Sequence, residues 1–220
     1  MKKHYREELG SLRETVLRMG GLVEQMTHRA IQALVERKIE MLPEVTAMEA
    51  QVNQLHIDID EICLEMIALR QPTAADLRFI TAAMKINTDM ERIGDQAINI
   101  TERAEFLLTV PPVKPLIDIP RMAEIAKEML RDALDAFVNG NDALAYETIK
   151  KDDLVDQLKD QVFRELLTYM MADPTTIARG LELILVSRYV ERIADHATNI
   201  CENVIFMIQG KDVRHQGPLA

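Results

Sequence analysis

The sequence predicts an all-α fold, built as two tandem three-helix antiparallel bundles related by an internal repeat. Three observations carry this. A twelve-residue stretch, Glu91 to Glu102, recurs one hundred positions later as Glu191 to Glu202 with eight identities. Apolar residues elsewhere recur at three- and four-residue intervals, the signature of amphipathic helices. Val110-Pro111-Pro112-Val113-Lys114-Pro115 lies between the two copies, where three prolines favour a stiff extended linker over a helix. The domain reading is a first bundle over 1–110, a linker over 111–118, and a second bundle with a short tail over 119–220.

Each helix has a local reason. Leu9, Leu12, Val16, Met19, Val23, Met26, Ala30, Ala33 and Leu34 define a first helix over about 5–40. Gly20-Gly21 interrupts it and costs about 1 kcal/mol per glycine relative to alanine, marking either a bend or a close approach of another helix. Pro43 suits the first turn of a second helix reaching about Leu69. Thr73 followed by Asp76 resembles a capping box opening a third helix over about 74–108. Asp118 is placed to cap a fourth, and Asn139-Gly140-Asn141-Asp142 supplies a stop and a restart. A fifth helix then runs to about Met171. Asp173-Pro174 opens a sixth, ending near Gly210.

The repeat extends past the duplicated stretch. Met26–Val35 resembles Met129–Val138, Pro72 matches Pro174, and Glu49, Val52, Asn53 and Leu55 correspond to Asp152, Val155, Asp156 and Leu158.

Composition narrows the function classes. With 4% aromatic residues and no Trp, the core must be built from Leu, Ile, Val, Ala and Met, which the 48% hydrophobic fraction allows. The thirteen Met fit that core better than an adaptable binding surface. A net charge of −10 and a pI near 5.0, with no basic block, argue against nucleic acid and anionic lipid as partners. No apolar run approaches the roughly 20 residues of a membrane span, and no secretory signal follows the basic start. Cys63 and Cys201 have no CxxC spacing and read as reduced, buried small hydrophobes. A cytoplasmic location is the expectation.

The duplicated helices carry the candidate chemistry. Ile93, Ala97, Ile100 and Ala104, like Ile193, Ala197, Ile200 and Val204, form an apolar back. Opposite them run Glu91, Asp95, Asn99 and Glu102, and again Glu191, Asp195, Asn199 and Glu202. Carboxylates one turn apart can bridge a hard divalent cation, and an Asn carbonyl can add a ligand. Glu49 with Asn53, and Asp152 with Asp156, repeat the spacing on the middle helices, so each half could offer about four to six oxygens. The plainer alternative is a solvated acidic face with exposed ion pairs such as Arg92–Asp95 or Arg188–Glu191. His196 stands where the first copy has Gln96 and reads as a surface or packing residue; His4, His28, His56 and His215 form no cluster. No Glu-x-x-His tetrad, nucleophile elbow, P-loop or dinucleotide fingerprint occurs.

The chain resembles the PhoU family of bacterial phosphate-signalling regulators. The resemblance lies in Met19 to Gln25, Arg70 to Arg78, Glu91 to Ile100, Leu167 to Met171, Glu191 to Glu202 and the tail Gly210 to His215, in that order. It implies a PhoU-like pair of three-helix bundles and a non-enzymatic, negative regulator of the phosphate-starvation response. Such a regulator modulates phosphate uptake by linking the ATP-binding subunit of a phosphate ABC transporter to a sensor histidine kinase, and a homodimer is expected. The family's E(D)xxxD motifs fall here on Glu91/Asp95 and Glu191/Asp195, with Mg, Mn, Fe or Zn as the implied metal. His56 and Lys159 stand where many relatives have acids, which favours a mononuclear or weakly held ion over a multinuclear cluster. A second reading, resting on carboxylate spacing alone, is a metal store or metal-dependent hydrolase.

Overall fold

A computed structural model describes residues 2–213, with side chains from Tyr5 onward. The side chain of His4, and Arg214 and His215 of the tail, lie outside the described residues. Seven α-helices make up the described fold: α1 Lys2–Glu36, α2 Leu42–Arg70, α3 Ala74–Thr109, α4 Asp118–Asn139, α5 Asp142–Ile149, α6 Asp152–Ala172 and α7 Ile177–Gln209. Short 3-10 turns at Ile39–Met41 and Pro174–Thr176 precede α2 and α7. The first bundle is α1, α2 and α3. In the second, α4, the pair α5–α6, and α7 repeat the plan.

Several local expectations are corrected. The first helix stops at Glu36 rather than near 40, because Arg37 turns into the left-handed region (φ 56°) and the Lys38 amide bonds back to the Ala33 carbonyl at 2.9 Å. The single fifth helix is two. Lys150 and Lys151 carry no helix-breaking side chain, so the interruption has no local signal in the sequence. The Lys151 amide tightens onto the Thr148 carbonyl at 3.0 Å while its ammonium is anchored to Asp132 of α4 at 2.8 Å. The Thr73 hydroxyl donates to the Asp76 carboxylate at 2.8 Å instead of capping the backbone, and Asp118 is the first helical residue of α4 rather than its cap. Asn141 and Asp173 do cap, accepting from the amides of Leu144 (3.1 Å) and Thr175 (3.0 Å). Gly140 closes α4 at φ 61°, a conformation that favours glycine.

The two repeats share one hydrophobic core. The apolar backs of α3 and α7 are buried in that core, and among the described residues these two helices form the most extensive pairing. Phe79 of α3 stacks on Phe137 of α4, 5.2 Å between centroids, an arrangement worth about 0.5–1.5 kcal/mol beyond area burial. Gly20 marks a close approach rather than a bend: α1 continues through it, and a Cβ there would meet Leu134 Cδ1 of α4 at 2.3 Å. Gly21, beside it, faces open space.

The seam also carries polar contacts. Asp89 of α3 meets His196 Nδ1 at 3.0 Å and accepts from Asn199 at 3.2 Å, both on α7. Arg103 of α3 pairs with Glu182 of α7 at 3.4 Å. The Arg37 guanidinium donates to the carbonyls of Leu108 (3.0 Å) and Val110 (2.7 Å) at the end of α3, and Arg179 of α7 donates to that of Pro111 (2.9 Å), where the linker begins.

Candidate functional site

In the second half, α6 and α7 bring Asp152, Asp156, Glu191 and Asp195 together. Residues 152, 156 and 159 fall on one side of α6 because they are three or four apart, and 191 and 195 do the same on α7. Lys159 lies among them. Its ammonium donates to Asp156 Oδ1 and to Glu191 Oε1, each at 3.0 Å, and Asp160 Oδ1 lies at 3.9 Å. Glu191 therefore bonds across to α6 rather than to Arg188 on its own helix.

The charge crowding is visible in the proton affinities. Asp152 is pushed up to about 7, first by burial and then by the like charges of Asp195, Asp156, Asp153 and Glu191. Asp195 is exposed by surface area but crowded on its inner side. Burial of that side, then Glu191 and Asp156, raises its pKa against the opposing pull of His196 and Lys159. For Lys159, burial alone would lower the pKa, but the bonds to Asp156 and Glu191 outweigh it and hold the ammonium firmly charged. Asn199 is not in this group, since it turns to Asp89 across the seam.

The first half is arranged differently. Glu91, Asp95 and Asn99 are half-buried on α3, and Glu49 is half-buried on α2. Arg92 sits 3.5 Å from Glu91 and 3.3 Å from Asp95, so the plain ion-pair reading of this ladder is realised. His56, in register with Lys159, lies 3.8 Å from Asp60. Asn87, wholly buried, donates to the His56 carbonyl at 2.9 Å and to Asp60 Oδ1 at 3.0 Å. This Asp60–Asn87 link was missed by sequence reasoning. The available signal was a lone Asn in the apolar stripe Ile80, Ala83, Ile86, Met90.

The donor chemistry can be tested against the divalent ion that the motifs imply. In the second half the oxygens of Asp156 and Glu191 already face an ammonium, so the residues as arranged do not fit a metal. In the first half Glu91 and Asp95 face Arg92. Among the described residues, no group of three or more His, Cys, Asp or Glu is placed to hold an ion.

Beside the second-half acids opens a cleft of about 470 Å³ lined by Lys159, Phe163, Arg188 and Arg192, among others. Phe163, Leu167 and Met171, spaced one turn apart along α6, are exposed, as is Leu181 of α7.

Fold and site together define an internally duplicated, all-helical protein with an acidic face on each repeat and a shared core. The model of the PhoU domain matches residues 16–104 and 119–204, once for each repeat. The phosphate-specific transport system accessory protein PhoU homolog of Aquifex aeolicus is 43% identical over 210 residues, covering 96% of this chain and 95% of that one. Its counterpart in Pseudomonas putida is 39% identical over 99% of this chain and 85% of its own length. The crystal structure of PhoU from Pseudomonas aeruginosa superposes with a TM-score of 0.90 at 38% identity, covering 94% of this chain and all of that one. That of the phosphate transport system regulatory protein PhoU from Streptococcus pneumoniae gives 0.87 at 28%, covering 95% and 99%. The chain belongs to the PhoU family.

Proposed function

We propose that this protein is a negative regulator of the phosphate-starvation response, a non-enzymatic adaptor between the ATP-binding subunit of a phosphate ABC transporter and a sensor histidine kinase. The observation that carries the reading is the family membership, which spans both repeats and extends to relatives described as accessory to phosphate-specific transport. Two features of the molecule support it. Glu91 and Asp95 of the first ladder and Glu191 of the second are engaged with basic side chains of the chain itself. The outer side of α6 and the start of α7 expose Phe163 (49%), Leu167 (42%), Met171 (77%) and Leu181 (51%), an apolar strip of the kind that marks protein contact. Among the described residues no helix is long and apolar enough to cross a membrane. We place the protein in the cytoplasm, as a homodimer.

An adaptor biases a kinase only by binding its active and inactive forms with different affinity. The test is capture of the kinase and the transporter ATPase on immobilised protein at high and low phosphate, alongside a deletion strain. Deletion is expected to release phosphate-uptake genes in high phosphate. Replacing Phe163 and Leu167 by Asp should reproduce that release while leaving the helical content unchanged. Normal repression in the deletion strain would refute the proposal.

A further inference from the structure

The two acid ladders are both bonded to cations of the chain itself, but those cations are placed very differently. Arg92 belongs to the ladder helix, and its side chain is 57% exposed. Such pairs are open to solvent and exchange readily. Lys159 reaches across from the neighbouring helix, is 29% exposed, and holds Asp156 of its own helix and Glu191 of α7, each at 3.0 Å.

We propose that Lys159 is the resident cation of the second-half acid set and keeps divalent ions out of it. A metal ion bound to the oxygens of Glu191 and Asp156 would lie within a few ångströms of the ammonium those same oxygens hold. To enter, it must break two charge-assisted bonds together and leave a part-buried ammonium without its carboxylates. The crowding of Asp152, Asp156, Glu191 and Asp195 is what a cation relieves, and the fold supplies that cation covalently. The duplication is therefore chemically unequal, because the first half has His56 in the register of Lys159, 3.8 Å from Asp60 and with no part in the pairing of Glu91 and Asp95.

The test is titration of the full chain with Mn²⁺ alone, followed by calorimetry and by the loss of the free-ion paramagnetic resonance signal. The number of saturable Mn²⁺ equivalents bound by the wild type is expected to be unchanged in Glu191→Gln/Asp195→Asn. Lys159→Gln is expected to gain one equivalent, at least tenfold tighter than any weak background, which Glu191→Gln added to it abolishes. Lys159→Arg, which keeps the charge, should gain none. A wild-type equivalent lost in Glu191→Gln/Asp195→Asn would overturn the proposal, as would no gain in a folded Lys159→Gln protein. Should circular dichroism show that Lys159→Gln does not fold, the wild-type comparison decides alone.

Discussion

Asp152 offers a quantitative test of the charge crowding in the second half. Its carboxyl is raised from 3.8 to about 7, by burial first and by four neighbouring acids next. A group whose folded pKa lies above its unfolded one binds more protons when folded, so stability falls as pH rises through about 7 and is recovered as pH drops toward 4. At 1.36 kcal/mol per pKa unit the shift sets a ceiling of about 4 kcal/mol on what ionised Asp152 costs the folded state. The side chain is only partly buried, and solvent screening brings that down to about 1–2 kcal/mol. Its place in the first turn of α6 pulls the other way, since the helix N-terminus favours a carboxylate by about 0.3–1 kcal/mol. Crowding wins narrowly. Asp152→Asn is therefore expected to stabilise the protein by about 1 kcal/mol at pH 8, with the gain shrinking as the pH is lowered toward 5. Urea unfolding of both proteins across that range measures it, with an unchanged m-value as the check that the unfolded state is the same. A variant that is less stable at pH 8, or a gain that does not change with pH, would refute the reasoning.

Other expectations are simpler to read. Burial pushes both the Cys63 and the Cys201 thiols up to about 12, so neither should react with a thiol reagent at pH 8 in the native protein, and both should react in urea. Gly20→Val should destabilise by about 1–3 kcal/mol through overpacking against Leu134, and Leu134→Ala should rescue part of that loss in a double-mutant cycle. Asn141→Ala removes the cap of α5 and should cost about 1 kcal/mol in thermal or urea unfolding. Asp89→Ala strips His196 and Asn199 of a shared acceptor at the seam; a loss of about 1–2 kcal/mol is expected, and a neutral result would show that this contact is dispensable.

The fold was legible wherever local physics sets it. Ile93, Ala97, Ile100 and Ala104 and their second copies repeat at helical spacing because they face a core, and all are at most 1% exposed. Asn141 and Asp173 announce helix starts because capping is a short-range event. The break at Lys150–Lys151 was not legible, because no Gly, Pro or capping residue marks it, and the contact found there, Lys151 to Asp132, spans nineteen residues. The site divides in the same way. Spacing alone puts Asp152 with Asp156 and Glu191 with Asp195, since each pair shares one helix. It could not show that Lys159 bonds to both sides, nor that Asn199 turns to Asp89, because those outcomes depend on how α6, α7 and α3 are set against one another. Sequence symmetry also hid an asymmetry: Arg92 and Arg192 are identical in register, yet the acids beside them meet an Arg of their own helix in one copy and a Lys of another helix in the other.

Arg37 ties down the end of α3 and Arg179 of the second repeat holds the start of the linker, while α3 and α7 lie side by side. Cohesion between the repeats thus owes little to the peptide that joins them. Cutting the backbone between Pro112 and Leu116 should leave the fragments associated through gel filtration, and separately expressed repeats should reassemble. A permuted gene carrying the second repeat first should yield the same body.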